Sequence, residues 1–187
     1  MSQIRAMEEA TKKLLEQLDP KTYREGLRDT PERVARAWTE WTAGYDVDIE
    51  ALFTTFDDGS EDYDQMIIVK DIPFYSHCEH HLALFQGSAT IAYVPGERIV
   101  GISKFARLVD AYACRLLVQE RMTTQIAKAI DYYLKPIGVA VLIEAEHTCM
   151  SSRGVKKPGT RTLTSALKGC FKTEPACRAE FYSLIGR

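Results

Sequence analysis

Apolar residues near the start of the chain recur at Ile4, Met7, Ala10, Leu14, Leu15 and Leu18, with polar residues between them. This spacing puts one apolar stripe on a helix, so residues 1–18 are expected to form an amphipathic helix. Asp29-Thr30-Pro31-Glu32 reads as a second helix start, with Thr30 as N-cap and Pro31 at the first helical position, where no N–H is needed. Val34, Trp38 and Trp41 share a face of that helix, while Arg33 and Arg36 lie elsewhere on it. The stretch 45–64 is acidic and polar, with Asp57-Asp58-Gly59-Ser60, and predicts a loop.

Beyond it, strand-like runs cover Met66 to Val69, extending towards Tyr75, and Ala89 to Val94, closed by Pro95-Gly96. Helical stretches follow at 103–115 and 118–134, ended by Pro136 and Gly138. Strands are expected at Val139 to Ala145 and Thr160 to Leu167, and a short helix near Glu174-Pro175. Paired strands separated by a helical insert predict an α+β fold with an antiparallel sheet. The loop divides the chain into an N-terminal helical region, 1–64, and a single structural body, 65–187.

The 187 residues suit one domain with a small extension. A net charge of −2 gives no global attraction for nucleic acid, so any anion site must be a local basic cluster. No apolar run approaches the roughly 20 residues that span a bilayer, and Met1 to Lys13 has no secretory apolar core. These features predict a cytoplasmic protein, whose five cysteines are thiols or metal ligands rather than disulfides.

Ligand-type side chains are densest at Ser76-His77-Cys78-Glu79-His80-His81, and Glu146-His147-Thr148-Cys149 adds another His and Cys far downstream. Cys78 and His81 have C-x-x-H spacing, so one turn can present both to one ion, and Cys149 could complete a Cys2His set. Three protein ligands leave a position for water, as in catalytic zinc sites; a fourth from His80 or His147 would make the site structural. A catalytic metal brings the pKa of its water to about 7. If they are not ligands, His80 and His147 are candidates for proton transfer. His77 is expected to be an ordinary surface or packed histidine and Cys114 a core residue; Cys170 and Cys177 fit no ligand spacing.

Gly101-Ile102-Ser103-Lys104-Phe105-Ala106-Arg107 lies at a strand-to-helix junction. Ser103 could cap that helix, whose free amides attract anions, and Lys104 and Arg107 add charge one turn apart. Arg153 follows closely on Cys149, and Arg33 is a further basic candidate, although such residues commonly just solvate a helix face. Glu120 in Val118-Gln119-Glu120-Arg121 either complements the dipole at the start of a helix or accepts two adjacent N–H donors of a guanine.

The runs Cys78-Glu79-His80-His81-Leu82, Gly101 to Arg107, Val118 to Arg121, and Glu146 to Met150 with Arg153-Gly154-Val155 resemble the GTP cyclohydrolase I family in order and spacing. Asp29 to Ala35 resembles that family's N-terminal helix signature. The resemblance implies one zinc ion per subunit held by Cys78, His81 and Cys149. It implies His80 as the acid that protonates the guanine imidazole ring and His147 as a second acid/base group. Glu120, with the backbone around Gln119, would anchor guanine. Ser103 would contact ribose or phosphate, and Lys104, Arg107, Arg153 and Arg33, with Arg36 in addition, the triphosphate.

The implied reaction is hydrolysis of GTP at carbon 8, ring opening, release of formate, Amadori rearrangement and closure to 7,8-dihydroneopterin triphosphate, the first step of pterin and tetrahydrofolate biosynthesis. The implied fold is the tunnelling fold, with helices on one side of the sheet and the sheets of several subunits joined into a barrel. The implied assembly is a decamer of two pentamers with active sites at subunit interfaces. The sequence departs from the family pattern at Ala83, Leu117, Ser151 and Ser152. Competing readings are a nicotinamide-dependent reductase of the same fold class, acting on a nitrile-bearing deazaguanine, and a zinc-stabilised protein without activity.

Overall fold

The computed structural model describes residues 2–22, 24–53, 55–56 and 65–186. Packing divides the chain into two units, Met1–Ala43 and Gly44–Arg187. Residues 57–64, which include the Asp57-Asp58-Gly59-Ser60 run, lie outside the described residues.

The N-terminal unit pairs α1 (Gln3–Leu18) with α2 (Thr30–Trp41). No residue of α1 is buried. Thr30 is not the cap of α2: Asp29 holds that position and Thr30 is the first helical residue. The Asp29 carboxylate is taken by Arg33, which donates to it at 3.2 Å. Arg36 pairs with Glu32 one turn along, and the Trp38 and Trp41 rings meet edge to face at 5.2 Å.

A 3-10 turn spans Ala43–Asp46 at the boundary of the two units, and α3 (Ile49–Leu52) lies inside the stretch expected to be loop. Asp48 caps α3 by accepting from the Ala51 N–H. A two-stranded ribbon joins β1 (Thr55–Phe56) to β4 (Ile99–Val100). The main sheet runs β5 (Leu116–Leu117), β2 (Ile67–Cys78), β3 (Leu84–Val94), β6 (Gly138–His147), β7 (Arg161–Gly169). All neighbours are antiparallel except the short β5, which lies parallel to the end of β2. The α+β class with an antiparallel-rich sheet is therefore as the element order predicts. Among the described residues, no helix is long and apolar enough to cross a membrane.

Helices α4 (Ser103–Ala113) and α5 (Gln119–Leu134) cover one face. Their buried residues Phe105, Leu108, Val109, Met122, Ile126 and Ile130 share a core with Ile91, Tyr93, Val139, Val141 and Ile143 of the sheet. The helices are not confined to that side, as the resemblance implied. α7 (Cys170–Thr173) and α8 (Pro175–Leu184) pack through Phe171 and Phe181 against Ala92, Ala140 and Leu142, which point the other way. Ala92 and Ala140, paired across β3 and β6, are small enough to leave room for two phenylalanine rings on that face. Lys70, Asp71, Ser88, Thr90 and Glu144 line a polar hollow beside them.

Two details of β2 and β3 set up the site. Between Val69 and Ile72 the register slips by one residue, with Asp71 at φ 57°, so β2 carries a bulge. Before it Ile67 and Val69 face α4 and α5; after it Ile72, Phe74 and Cys78 do. On β3, a Cβ at Gly87 would stand 1.9 Å from the Glu144 carbonyl oxygen, so only glycine admits this approach of β3 to β6.

Candidate functional site

The ends of β2 and β6 and the start of α5 meet in an open pocket of about 210 Å³ lined by Cys78, His80, His81, Gln119, Glu120, His147, Cys149 and Thr162, among others. Cys78 ends β2 and begins a tight turn. Its N–H donates to the Ala83 carbonyl at 2.9 Å, and its own carbonyl accepts from Leu82 at 2.8 Å and His81 at 3.3 Å. Leu82 reverses the chain with φ 53°. This turn brings the His81 Nδ1 to 4.0 Å from the Cys78 sulfur. Cys149 arrives on α6 (Thr148–Ser151), directly after β6, and Thr148 ties that turn back by donating to the Leu84 carbonyl at 2.6 Å.

The donor atoms of Cys78, His81 and Cys149 lie within 4.8 Å of one another. Tetrahedral zinc, with bonds of about 2.3 Å to sulfur and about 2.0–2.1 Å to nitrogen, needs donors about 3.6–3.8 Å apart. The trio therefore fits such an ion after a contraction of less than about 1 Å. Burial, then the charge and hydrogen bond of Cys78, pushes the Cys149 thiol up, while Arg153 pulls it down. A divalent cation between the two sulfurs would relieve that mutual repulsion. Two thiolates and an imidazole are a soft donor set of the kind that suits zinc.

His147 is the last residue of β6 and points to the α5 side of the sheet. The Phe85 ring lies parallel to it, 3° from coplanar at 4.6 Å. Its Nε2 is 2.8 Å from Gln119 Oε1. Burial pushes the His147 imidazole below its ordinary pKa, and the Glu120 carboxylate partly opposes this. His80 is largely exposed, 4.0 Å from Glu79. Glu120 is exposed in the first turn of α5, at the pocket. Gln119 is buried, and its side chain turns inward towards His147 and the strands rather than outward with Glu120.

The remaining expected residues do not line this pocket. Ser103 begins α4, but Ile102 is the cap residue, so Ser103 is helical and does not cap. The C-terminal end of α4 leads into β5 beside Cys78, which leaves Ser103 about 15 Å away along the helix axis. Lys104 and Arg107 lie in that same distal half. Arg153 is exposed on the loop after Cys149, near enough to act on its thiol. Arg33 belongs to the N-terminal unit. His77 is buried on the opposite face of β2 from Cys78, and burial lowers its pKa.

Several contributors escaped the sequence reading. Arg121 holds Glu79 through two hydrogen bonds, of 2.5 and 3.1 Å. Thr123, Thr162 and Thr164 surround Gln119. The i, i+2 spacing of the threonines on β7 was a usable signal, because it places both on the α5 face. Away from the site, Cys170 and Cys177 lie with sulfurs 3.0 Å apart.

The profile of the GTP cyclohydrolase I family matches residues 7–186. A GTP cyclohydrolase 1 from Nitrosospira multiformis is 52% identical over 172 residues, covering 92% of this chain and 90% of that protein. One from Mycolicibacterium vanbaalenii is 54% identical over 183 residues, covering 96% and 89%. One from Brevibacillus brevis is 50% identical over 180 residues, covering 96% and 95%. With matches of this extent running through both units, the chain belongs to the GTP cyclohydrolase I family of hydrolases.

Proposed function

We propose that this protein hydrolyses GTP to 7,8-dihydroneopterin triphosphate and formate in a zinc-dependent reaction. The observation that carries this reading is that one pocket holds the Cys78, His81 and Cys149 donor trio together with His80, His147 and Glu120. Zinc held by that trio would supply a Lewis acid that makes a nucleophile from water near neutral pH.

The chain's own residues divide the rest of the work. Glu120 accepts the ring N–H and amino group of guanine, two adjacent donors matched by two carboxylate oxygens. The backbone at Gln119 assists, since its side chain is engaged within the fold. His80, exposed at the mouth, protonates nitrogen 7 as carbon 8 is attacked. His147, held flat against Phe85, serves as the second acid/base group. Ring opening, loss of formate, Amadori rearrangement and reclosure follow within the same pocket.

The working enzyme is a homo-oligomer, a decamer of two pentamers joined through the sheets, with sites at subunit interfaces. The position of Ser103, Lys104 and Arg107 in the distal half of α4, outside this pocket, supports this, because another copy can bring them to the triphosphate. Arg153 contributes from the loop beside Cys149, and Arg33 from the N-terminal helices.

The test is to incubate the zinc-loaded protein with GTP, with and without a chelator, and follow formate and the fluorescence of oxidised neopterin. Both signals, abolished by the chelator, are expected. Formate without neopterin would mean ring opening without reclosure. Neither signal from an assembled, zinc-loaded sample would overturn the proposal.

A further inference from the structure

The contacts around Gln119 fit together in one set of hydrogen-bond directions. Thr123 Oγ1 donates at 2.8 Å to the Gln119 backbone carbonyl, which can only accept. Thr164 Oγ1, 2.6 Å from Thr123 Oγ1, then donates to Thr123 and offers lone pairs to Gln119. Gln119 Nε2 lies 3.0 Å from Thr164 Oγ1, from the Ile143 carbonyl and from the Thr162 carbonyl. Three acceptors around this end identify it as the NH2 group. Turning the amide over would set its oxygen against two carbonyl oxygens that cannot donate, and leave buried groups unsatisfied.

Gln119 Oε1 therefore faces His147 Nε2, at 2.8 Å. Oε1 has no hydrogen to give, so the hydrogen must be on Nε2. Gln119 is 1% exposed, which keeps water from competing for these positions. Phe85 fixes the plane of the imidazole and Gln119 fixes its rotation within that plane.

We propose that Gln119 is a positioning residue that locks neutral His147 in its Nε2–H tautomer, so that the lone pair His147 brings to the reaction is on Nδ1. Thr123 and Thr164 hold Gln119 in the orientation that does this. The tautomer follows from the hydrogen bonds alone; its use in turnover rests on the proposed GTP hydrolysis.

Neutron diffraction from zinc-loaded crystals, exchanged into heavy water at mildly alkaline pH, reads the tautomer without any substitution. Deuterium is expected on His147 Nε2, with none on Nδ1. Deuterium on Nδ1, with or without one on Nε2, overturns the proposal. Gln119→Met keeps the volume but neither accepts nor donates at that point. It is expected to lower kcat roughly 10- to 100-fold, by analogy with the loss of partners that orient ligating histidines, with bound zinc and KM for GTP unchanged. Thr164→Ser is expected to recover most of what Thr164→Val loses. A raised KM with unaltered kcat in Gln119→Met would make Gln119 a substrate contact and overturn its positioning role. If the unaltered protein fails to turn over GTP, the functional reading falls while the neutron result still decides the tautomer.

Discussion

Arg121 on α5 grips Glu79 through both terminal nitrogens, at 2.5 and 3.1 Å, and Glu79 sits between Cys78 and the two histidines of the turn. The pair fastens the turn that carries Cys78 and His81 to the helix that carries Glu120. It is partly exposed, with side-chain accessibilities of 51% and 27%, so its contribution to stability is under about 1 kcal/mol. Its contribution to alignment is larger, because a displacement of about 1 Å at reacting groups can cost about 100-fold in rate. Arg121→Gln is expected to leave the melting temperature nearly unchanged and to lower kcat/KM more than tenfold. A kcat/KM within twofold of the unaltered protein would show that the turn holds its place without the pair.

Ser76 presents the one buried side-chain polar atom with no hydrogen-bond partner among the described residues. An unsatisfied buried hydroxyl costs about 1–3 kcal/mol. Ser76→Ala removes it with little change of volume, so the variant is expected to melt at a higher temperature with its zinc content intact. Calorimetry of both proteins checks this, and a lower melting temperature would contradict it.

Gly87→Ala tests the packing behind His147. The added methyl meets the backbone of Glu144 and Ala145, at 1.9 and 2.7 Å, rather than a side chain that can swing away. Overpacking of this kind costs about 1–3 kcal/mol. Denaturant unfolding is expected to register that loss, with turnover falling too because β3 also carries Phe85. A midpoint equal to that of the unaltered protein would mean that the strands separate freely here.

Cys177 is pushed up to about 12, first by burial and then by its hydrogen bond to Cys170. The thiolate is the reactive form, so alkylation at pH 8 should pass over Cys177 and rise steeply only in strong alkali. Mass spectrometry after a short iodoacetamide pulse reads this directly. The linkage has a definite sign: an acid whose pKa is raised on folding loses stabilising effect as pH climbs above the unfolded value of 9.0. Cys177→Ser is therefore expected to flatten the decline in melting temperature between pH 9 and 12.

Stripping the metal should leave Cys78 and Cys149 as neighbouring thiols, with donor atoms inside 4.8 Å together with His81. Peroxide then converts one to a sulfenic acid, and the second displaces water to form a disulfide. Peptide mapping is expected to find the Cys78–Cys149 link after chelation and not before it. Two free thiols surviving peroxide in the stripped protein would refute this.

The sequence shows α5 plainly, because Met122, Ile126, Ile130 and Leu134 repeat at helical spacing and Pro136 stops the run. It shows β6 as a continuous apolar stretch. It carries β2 from Met66 towards Tyr75 but stops short of Cys78, because polar residues and a bulge beyond Val69 break the simple alternation. Cys78, His80, His81, His147 and Cys149 are legible as chemistry because such side chains cluster locally in the chain. Glu79 with Arg121, or Gln119 with Thr162 and Thr164, carries no such mark: the partners are 42 or more positions apart and meet only when the sheet and α5 pack. The Cys170–Cys177 contact depends on how α8 turns back on α7, which residue spacing does not reveal.

The bulge at Asp71 acts on β2 as a frame shift acts on a message. The strand carries one residue more than its partner there, and the bulge takes it up, so Ile72, Phe74 and, about 23 Å further on, Cys78 hold the α5 face that Ile67 and Val69 hold before it. Deleting that residue would restore plain alternation and leave Cys78 on the α5 face; keeping it while straightening the bulge into regular strand would turn Cys78 to the opposite face, away from Cys149. The aim of Cys78 at the candidate metal site thus depends on how the backbone accommodates Lys70 and Asp71, well away from the pocket: a relative without the surplus residue reaches the same facing with a plain strand, whereas one that keeps the residue must keep the bulge.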